Sequence, residues 1–253
     1  MNPFAYDFMR TAYEAAAVVA VMSGAAGYFL VLRRQSFAGH ALGHVGFAGA
    51  TLALLLGLPA LPGLIAATVA GGVLMGALGE RLAERDVGIG MVLALALGFG
   101  ILFLGLFAGS AAQATALLFG NVLGVDRVTL AAMSRPLLFA SLQPDLAEAH
   151  GVRLRPLGMV FLGVVGLAVA GAAQVVGVLL VFALLVGPAA AAQRFTPRIG
   201  RGFLLCVALA MVQAFGGVTL AFYSDWPASF CITLLAAGCY GAALVKPRQA
   251  VLF

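Results

Sequence analysis

The sequence predicts an all-α membrane protein, a polytopic bundle of about eight or nine transmembrane helices, from three observations. Hydrophobic residues make up 63% of the chain and charged residues only 9%, whereas a soluble domain carries about 25% charged residues. Its 253 residues leave room for eight or nine spans of ~20 residues each. Long apolar runs such as 175–186 do not alternate as the strands of a membrane barrel would. We therefore expect a single transmembrane domain, residues 1–253, surrounded by lipid.

The apolar segments and the basic residues between them predict a topology. The segments are 12–32, 37–58, 61–79, 88–108, 157–173, 175–193, 203–222 and 228–245. Eleven of the 14 lysines and arginines lie in or beside every second connection, and the turns between them carry none. Because cytoplasmic loops are enriched in these residues, we expect the N-terminus outside and the C-terminus inside. Eight crossings would leave both termini on the same side of the membrane, so this topology requires one further crossing within 109–150. The alternatives for it are 111–125 and 128–142.

Two histidines in the second segment are the candidate metal ligands. His40 and His44 are spaced i, i+4, which places both imidazoles on one helix face with β-carbons about 5–6 Å apart. At ~1.5 Å per residue from Arg34, His44 lies ~15 Å along the helix, near the midplane of a ~30 Å core. Hydrogen bonding between helices is the alternative role. Imidazole suits zinc, copper, nickel and iron(II), whereas carboxylate and carbonyl oxygens suit manganese.

A polar stretch near residue 148 predicts a short helix at about 144–151. Pro144 stands at the first helical position, Asp145 and Glu148 carry acidic charge near the start, and Gly151 follows the end. The helix is too short and too polar to cross a membrane, and Arg153 beside it predicts a cytoplasmic location. A free surface helix and a docking element for a soluble partner both fit this pattern.

The glycine and proline positions predict how the helices pack. The second segment carries glycines at helical spacings, where small residues let membrane helices approach closely; these are Gly39, Gly43, Gly46 and Gly49. Pro188 lies inside an apolar segment and should kink or break its helix.

Several functions are excluded by what the sequence lacks. It contains neither a GxxxxGK[ST] phosphate-binding loop nor a pattern that resembles a catalytic triad, so the chain is not its own ATPase and no catalytic residue is expected. The basic residues are scattered among loops, which argues against a nucleic-acid partner. The three cysteines form no CxxC pattern. No permanently bound cofactor is expected.

Motifs along most of the chain resemble the membrane permeases of bacterial ABC importers for zinc, manganese and iron. FLVLRR at 29–34 and GHALGH at 39–44 resemble the family's FLVLRR…GDALSHA, and ERDVGIG at 84–90 resembles EDxxIGI. LLFGNVLGV at 117–125 resembles LLFGNILGV, and PDLAEAHGV at 144–152 resembles DPELAxxxGV. Residues 174–192 resemble QxVGVLLVxALLVxPAATA.

The resemblance implies a cobalamin-importer-like fold and a multi-pass homodimer in the bacterial inner membrane. It implies two partners: a periplasmic metal-binding protein that delivers the ion and a cytoplasmic ABC ATPase dimer that drives transport. It also implies that the short helix docks on the ATPase; the expected coupling residues are Pro144, Asp145, Ala147, Glu148 and Gly151.

The chain departs from the family pattern in ways that bear on the metal. His40 stands where the family has aspartate, Gly43 where it has serine, and Gln143 where it has an acid. The stretch between Val125 and Gln143 is also shorter than the family's by nearly a helix. Two copies of the histidine pair would offer four imidazoles, which zinc accepts tetrahedrally. We therefore expect zinc as the transported ion, with manganese, iron or an ion-coupled secondary transporter as the alternatives.

Overall fold

The computed structural model describes residues 6–77, 82–106, 154–178 and 181–245. These ranges fold as eight α-helices: α1 (Asp7–Leu32), α2 (Ser36–Leu55), α3 (Ala60–Ala77), α4 (Leu82–Leu106), α5 (Leu154–Val176), α6 (Val181–Phe195), α7 (Ile199–Ser224) and α8 (Ala228–Leu244). The all-α prediction is thus confirmed for the described residues.

Five of the helices are long and apolar enough to cross a bilayer by length and composition. They are α1, α2, α3, α7 and the Asp86–Leu106 part of α4. Shorter apolar stretches occupy α5, α6 and α8. The eight helices correspond to the eight apolar segments. The crossing expected within 109–150 and the helix at 144–151 lie outside the described residues, and the orientation of the termini stays a prediction.

Two boundaries differ from the sequence prediction. Helix α4 begins at Leu82 rather than near 88, since a helix satisfies its own backbone hydrogen bonds and can extend past its apolar stretch. The apolar segments 157–173 and 175–193 placed a break near residue 174, and this was wrong, because α5 continues to Val176. The chain leaves the helix at Gly177, whose φ of 86° is a conformation that glycine adopts without a steric penalty.

The helices pack around a core formed largely by α1, α2, α5 and α6. Helix α3 lies between α2 and α5, and α4 packs on α2. Helix α1 contacts α5, α6 and α7, and α6 also contacts α7 and α8. Fully buried aliphatic side chains from four helices fill the centre; they include Leu30, Leu42, Val165, Leu184 and Leu185.

Small residues allow these close approaches, as the sequence predicted. Gly49 on α2 faces the backbone carbonyl of Gly63 on α3, and Gly72 on α3 faces that of Leu162 on α5. A β-carbon at Gly49 or Gly72 would collide with the neighbouring backbone, so a larger residue would push the helices apart. Pro188 does not break its helix: α6 runs through it from Val181 to Phe195.

Candidate metal centre

His40 and His44 lie one turn apart on the same face of α2, as their spacing predicted. Their ring centroids are 4.9 Å apart and the rings are nearly perpendicular, at 84°. His44 is 7% exposed, whereas His40 is only partly buried. Since α2 begins at Ser36, His44 stands about 12 Å along a helix of about 30 Å. His40 stands about 6 Å along the same helix, so the pair lies in the first half of a membrane-length helix.

The interruption between α5 and α6 faces this part of α2. The carbonyl oxygen of Val178 lies 3.1 Å from the position that a β-carbon would take at Gly43. One turn further along, the ring centroid of Phe182 lies 5.3 Å from that of His40. The start of α6 thus runs beside the histidine pair. Non-helical backbone at membrane depth is tolerated where protein buries it or where it lines a cavity.

His44 carries the clearest sign of an incomplete site. Its Nδ1 atom is buried and finds no hydrogen-bond partner within the described part of the chain. Neutral imidazole has one donor and one acceptor nitrogen, and a buried polar atom without a partner costs about 1–3 kcal/mol. A cation bound at the pair would give this nitrogen a role as a ligand.

One copy of the chain offers two imidazoles, not a closed coordination cage. Across the described ranges, no group of three or more histidine, cysteine, aspartate or glutamate side chains stands close enough to hold a metal ion. An incomplete set of ligands suits an ion in transit, because a complete set would hold it tightly.

The other predicted site residues belong to the segment 144–151. Pro144, Asp145, Ala147, Glu148 and Gly151 all lie outside the described residues, so the coupling role of this segment stays a prediction.

Sequence reasoning did not identify two neighbours of the pair, Phe182 and the Val178 carbonyl. The feature of the sequence that could have indicated them is Gly177, because glycine suits a break between two apolar runs.

Sequence reasoning also did not identify two polar residues within the apolar helices, Ser23 and Gln213. Among the residues that the structure describes, the buried Ser23 hydroxyl and both buried amide atoms of Gln213 have no hydrogen-bond partner, and Gln213 is only 2% exposed.

These helices and the intramembrane histidine pair define a multi-pass helical membrane protein. More narrowly, the chain belongs to the ABC 3 transport family, whose model matches residues 5–246. It is therefore the membrane permease subunit of a bacterial-type ABC transporter and not the ATPase.

Curated relatives match nearly the whole chain. One is the manganese transport system membrane protein MntC of Halalkalibacterium halodurans, 27% identical over 98% of this chain and 90% of the relative. Another is a probable iron transport system membrane protein of Haemophilus influenzae, 28% identical over 98% of this chain and 97% of the relative.

Solved structures share the fold. PsaBC from Streptococcus pneumoniae, in complex with Fab, matches with a TM-score of 0.74 and 26% identity, covering 96% of this chain and 94% of the other. An inward-facing metal-chelate type ABC transporter matches with a TM-score of 0.71 over 94% of this chain and 85% of the other. Its 17% identity supports likeness of fold alone.

Proposed function

We propose that this chain is the permease subunit of an ATP-driven importer that moves manganese or iron, as divalent ions, into the cytoplasm. The observation that carries the proposal is the histidine pair on α2. Two imidazole rings with centroids 4.9 Å apart stand on one membrane-length helix. The Nδ1 atom of His44 has no hydrogen-bond partner among the described residues. Ionisable residues inside the membrane are costly and mark ion pathways.

The choice of metal rests on two lines of argument that overlap at iron(II). Several relatives carry manganese or iron in their names, which favours these ions over the zinc expected from sequence. Imidazole suits iron(II) as well as zinc. Manganese prefers oxygen ligands, and in this chain the Val178 carbonyl at Gly43 is an oxygen atom beside the pair.

Transport by alternating access would need the partners that family membership implies. A soluble metal-binding protein would deliver the ion from outside, and a cytoplasmic ATPase dimer would drive the switch. A second copy of the permease would bring another histidine pair towards a shared axis. We propose that residues 144–151 dock on the ATPase, with Ala147 and Glu148 on the contact surface.

The proposal is tested by uptake into proteoliposomes that contain the permease, its ATPase and the metal-binding protein. Uptake of radioactive manganese, iron(II) and zinc would be compared in the presence and in the absence of ATP. We expect ATP-dependent uptake of manganese or iron(II) to exceed that of zinc.

Two results would contradict the proposal. Uptake of zinc alone would restore the expectation drawn from the histidine chemistry. Uptake that continues without ATPase but depends on an ion gradient would instead indicate a secondary transporter.

A further inference from the structure

A cavity of about 810 Å³ opens at one end of the helix bundle. The turn between α1 and α2, which contains Arg34 and precedes the histidine pair, lies at the other end of α1. It lies between the start of α1, the end of α7 and the start of α8. Phe8 and Met9 contribute one wall, and Phe222 and Tyr223 contribute the wall from α7. Trp226, in the turn between α7 and α8, also lines it. None of these residues takes part in the proposed metal pathway.

Four of the ten residues that line this cavity are aromatic, and three of these four are largely exposed. Trp226 packs edge-on against Phe230, with ring centroids 5.6 Å apart. Phe222 packs against Tyr223 at 5.3 Å. Phe8 is 46% exposed, Tyr223 60% and Trp226 51%. Tyrosine and tryptophan are enriched where a membrane protein meets the lipid headgroups, so a cavity with these side chains at the ends of α1 and α7 suits the headgroup level.

One carboxylate stands among these aromatic side chains. Asp225 lines the cavity and ends α7 in the left-handed conformation, with φ 57°. Among the described residues, no lysine or arginine lies within ion-pair distance of it. Asp7, at the same end of the molecule, differs because it pairs with Arg10 at 3.8 Å. The cavity thus combines aromatic side chains with a carboxylate that has no cationic partner among the described residues.

We propose that this cavity binds the ammonium headgroup of an amine-bearing phospholipid, such as phosphatidylethanolamine. Aromatic faces attract ammonium groups through their quadrupoles, and the Asp225 carboxylate supplies the opposite charge and accepts hydrogen bonds from N–H. The apolar part of the cavity, which includes Met9 and Val218, lies against the lipid's glycerol and upper acyl region. An anionic headgroup would meet the carboxylate with like charge.

A lipid is favoured over a soluble protein partner because of where the cavity stands. Its aromatic residues are exposed at the ends of membrane-length helices, the depth at which phospholipid headgroups are present at high concentration. A basic side chain of a docked protein would share the ammonium chemistry. The experiment below therefore distinguishes a docked protein from a lipid.

The chain provides its own probe, because Trp226 is its only tryptophan. Full-length permease in a neutral detergent would be titrated with phosphatidylethanolamine brominated on its acyl chains, and separately with phosphatidylglycerol brominated in the same way. Bromine quenches tryptophan fluorescence on contact. We expect the ethanolamine lipid to quench Trp226 at about fivefold lower concentration than the glycerol lipid, the preference that a cation–π contact and an exposed ion pair together provide.

Asp225→Asn is the decisive variant, since asparagine tolerates the left-handed conformation and removes only the charge. It should abolish the preference, whereas the matched variant Asp7→Asn should retain it. Equal quenching by both lipids in the wild type would overturn the proposal, and so would an unchanged preference in Asp225→Asn. A change in Trp226 emission caused only by the soluble metal-binding protein would also overturn it, in favour of a protein docking site. None of these results depends on metal transport.

Discussion

The carbonyl oxygen of Val178 lies against Gly43, 3.1 Å from where a β-carbon would stand at that position. Gly43 occupies α2 between the two histidines, one residue before His44. The break after α5 therefore brings a backbone oxygen to the helix that carries both imidazoles. This contact is possible because position 43 has no side chain.

Gly43→Ala tests whether this carbonyl serves manganese. The added methyl group would push the carbonyl aside by a few tenths of an ångström. We expect manganese uptake to fall about tenfold, the loss that is typical when a group near a metal ligand is displaced. Iron(II) uptake should change less, because imidazole is a suitable ligand for iron(II). Relative uptake of the two ions in proteoliposomes is the measurement.

Gly98→Ala is the matched control, because a β-carbon on this α4 glycine meets nothing within 4 Å. It should leave uptake unchanged, whereas Gly43→Ala should also destabilise the protein by about 1 kcal/mol through overpacking. Equal loss of both metals in Gly43→Ala would mean that the contact is only structural.

Substitution of the histidines tests the site itself. His44→Ala should depress uptake of every metal by about tenfold or more, because the buried imidazole is removed. His40→Asp should shift the preference towards manganese, since it replaces a nitrogen ligand with a carboxylate. Thr51→Val on the same helix is the control, because its hydroxyl bonds only to the backbone of α2. If both His40→Ala and His44→Ala take up zinc, manganese and iron at the wild-type rate, the two histidines serve only in packing.

Charge reversal in the segment 144–151 tests coupling to the ATPase. Glu148→Lys should weaken docking, and a bulky residue in Ala147→Trp should do the same by steric obstruction. Co-purification of the ATPase and ATP-driven uptake are the measurements, with Asp7→Lys as the control for charge alone because this side chain is 92% exposed. If both variants retain the ATPase and transport normally, the segment is a free surface helix.

The predicted topology can be tested with a reporter that is active only outside the cytoplasm. Fusion after Phe253 should leave it silent, because the basic residues near the C-terminus favour the cytoplasm. Fusion after Asp225, in a turn without lysine or arginine, should make it active. The opposite pattern would show that the crossings between 109 and 150 are miscounted.

Gln213→Met should stabilise the protein. Both amide atoms of Gln213 are buried and have no partner in the described ranges, and removing such a group recovers about 1–3 kcal/mol. The midpoint of thermal unfolding should rise by about 2–4 °C for each kcal/mol. Gln193→Met is the matched control and should lower stability, since the Gln193 amide donates to the Tyr28 carbonyl at 3.0 Å. A lower midpoint in Gln213→Met would imply an unidentified partner for this amide.

The sequence by itself determined the class of protein and the position of its helices. Helix formation in lipid depends on composition and local periodicity, because every backbone polar group must be satisfied within its own segment. For the same reason the relation of His40 to His44 was predictable, since both lie on one helix.

Only the tertiary structure decided what surrounds them. Phe182 and Val178 are more than 130 residues from His44 along the chain, and their approach depends on where α5 ends and how α6 packs. Helix α5 ends at Val176 and Gly177 takes a φ of 86°, whereas the apolar pattern placed the break near residue 174. The burial of Gln213 without hydrogen-bond partners among the described residues was likewise beyond the sequence, because contacts between helices are set by packing and not by local pattern.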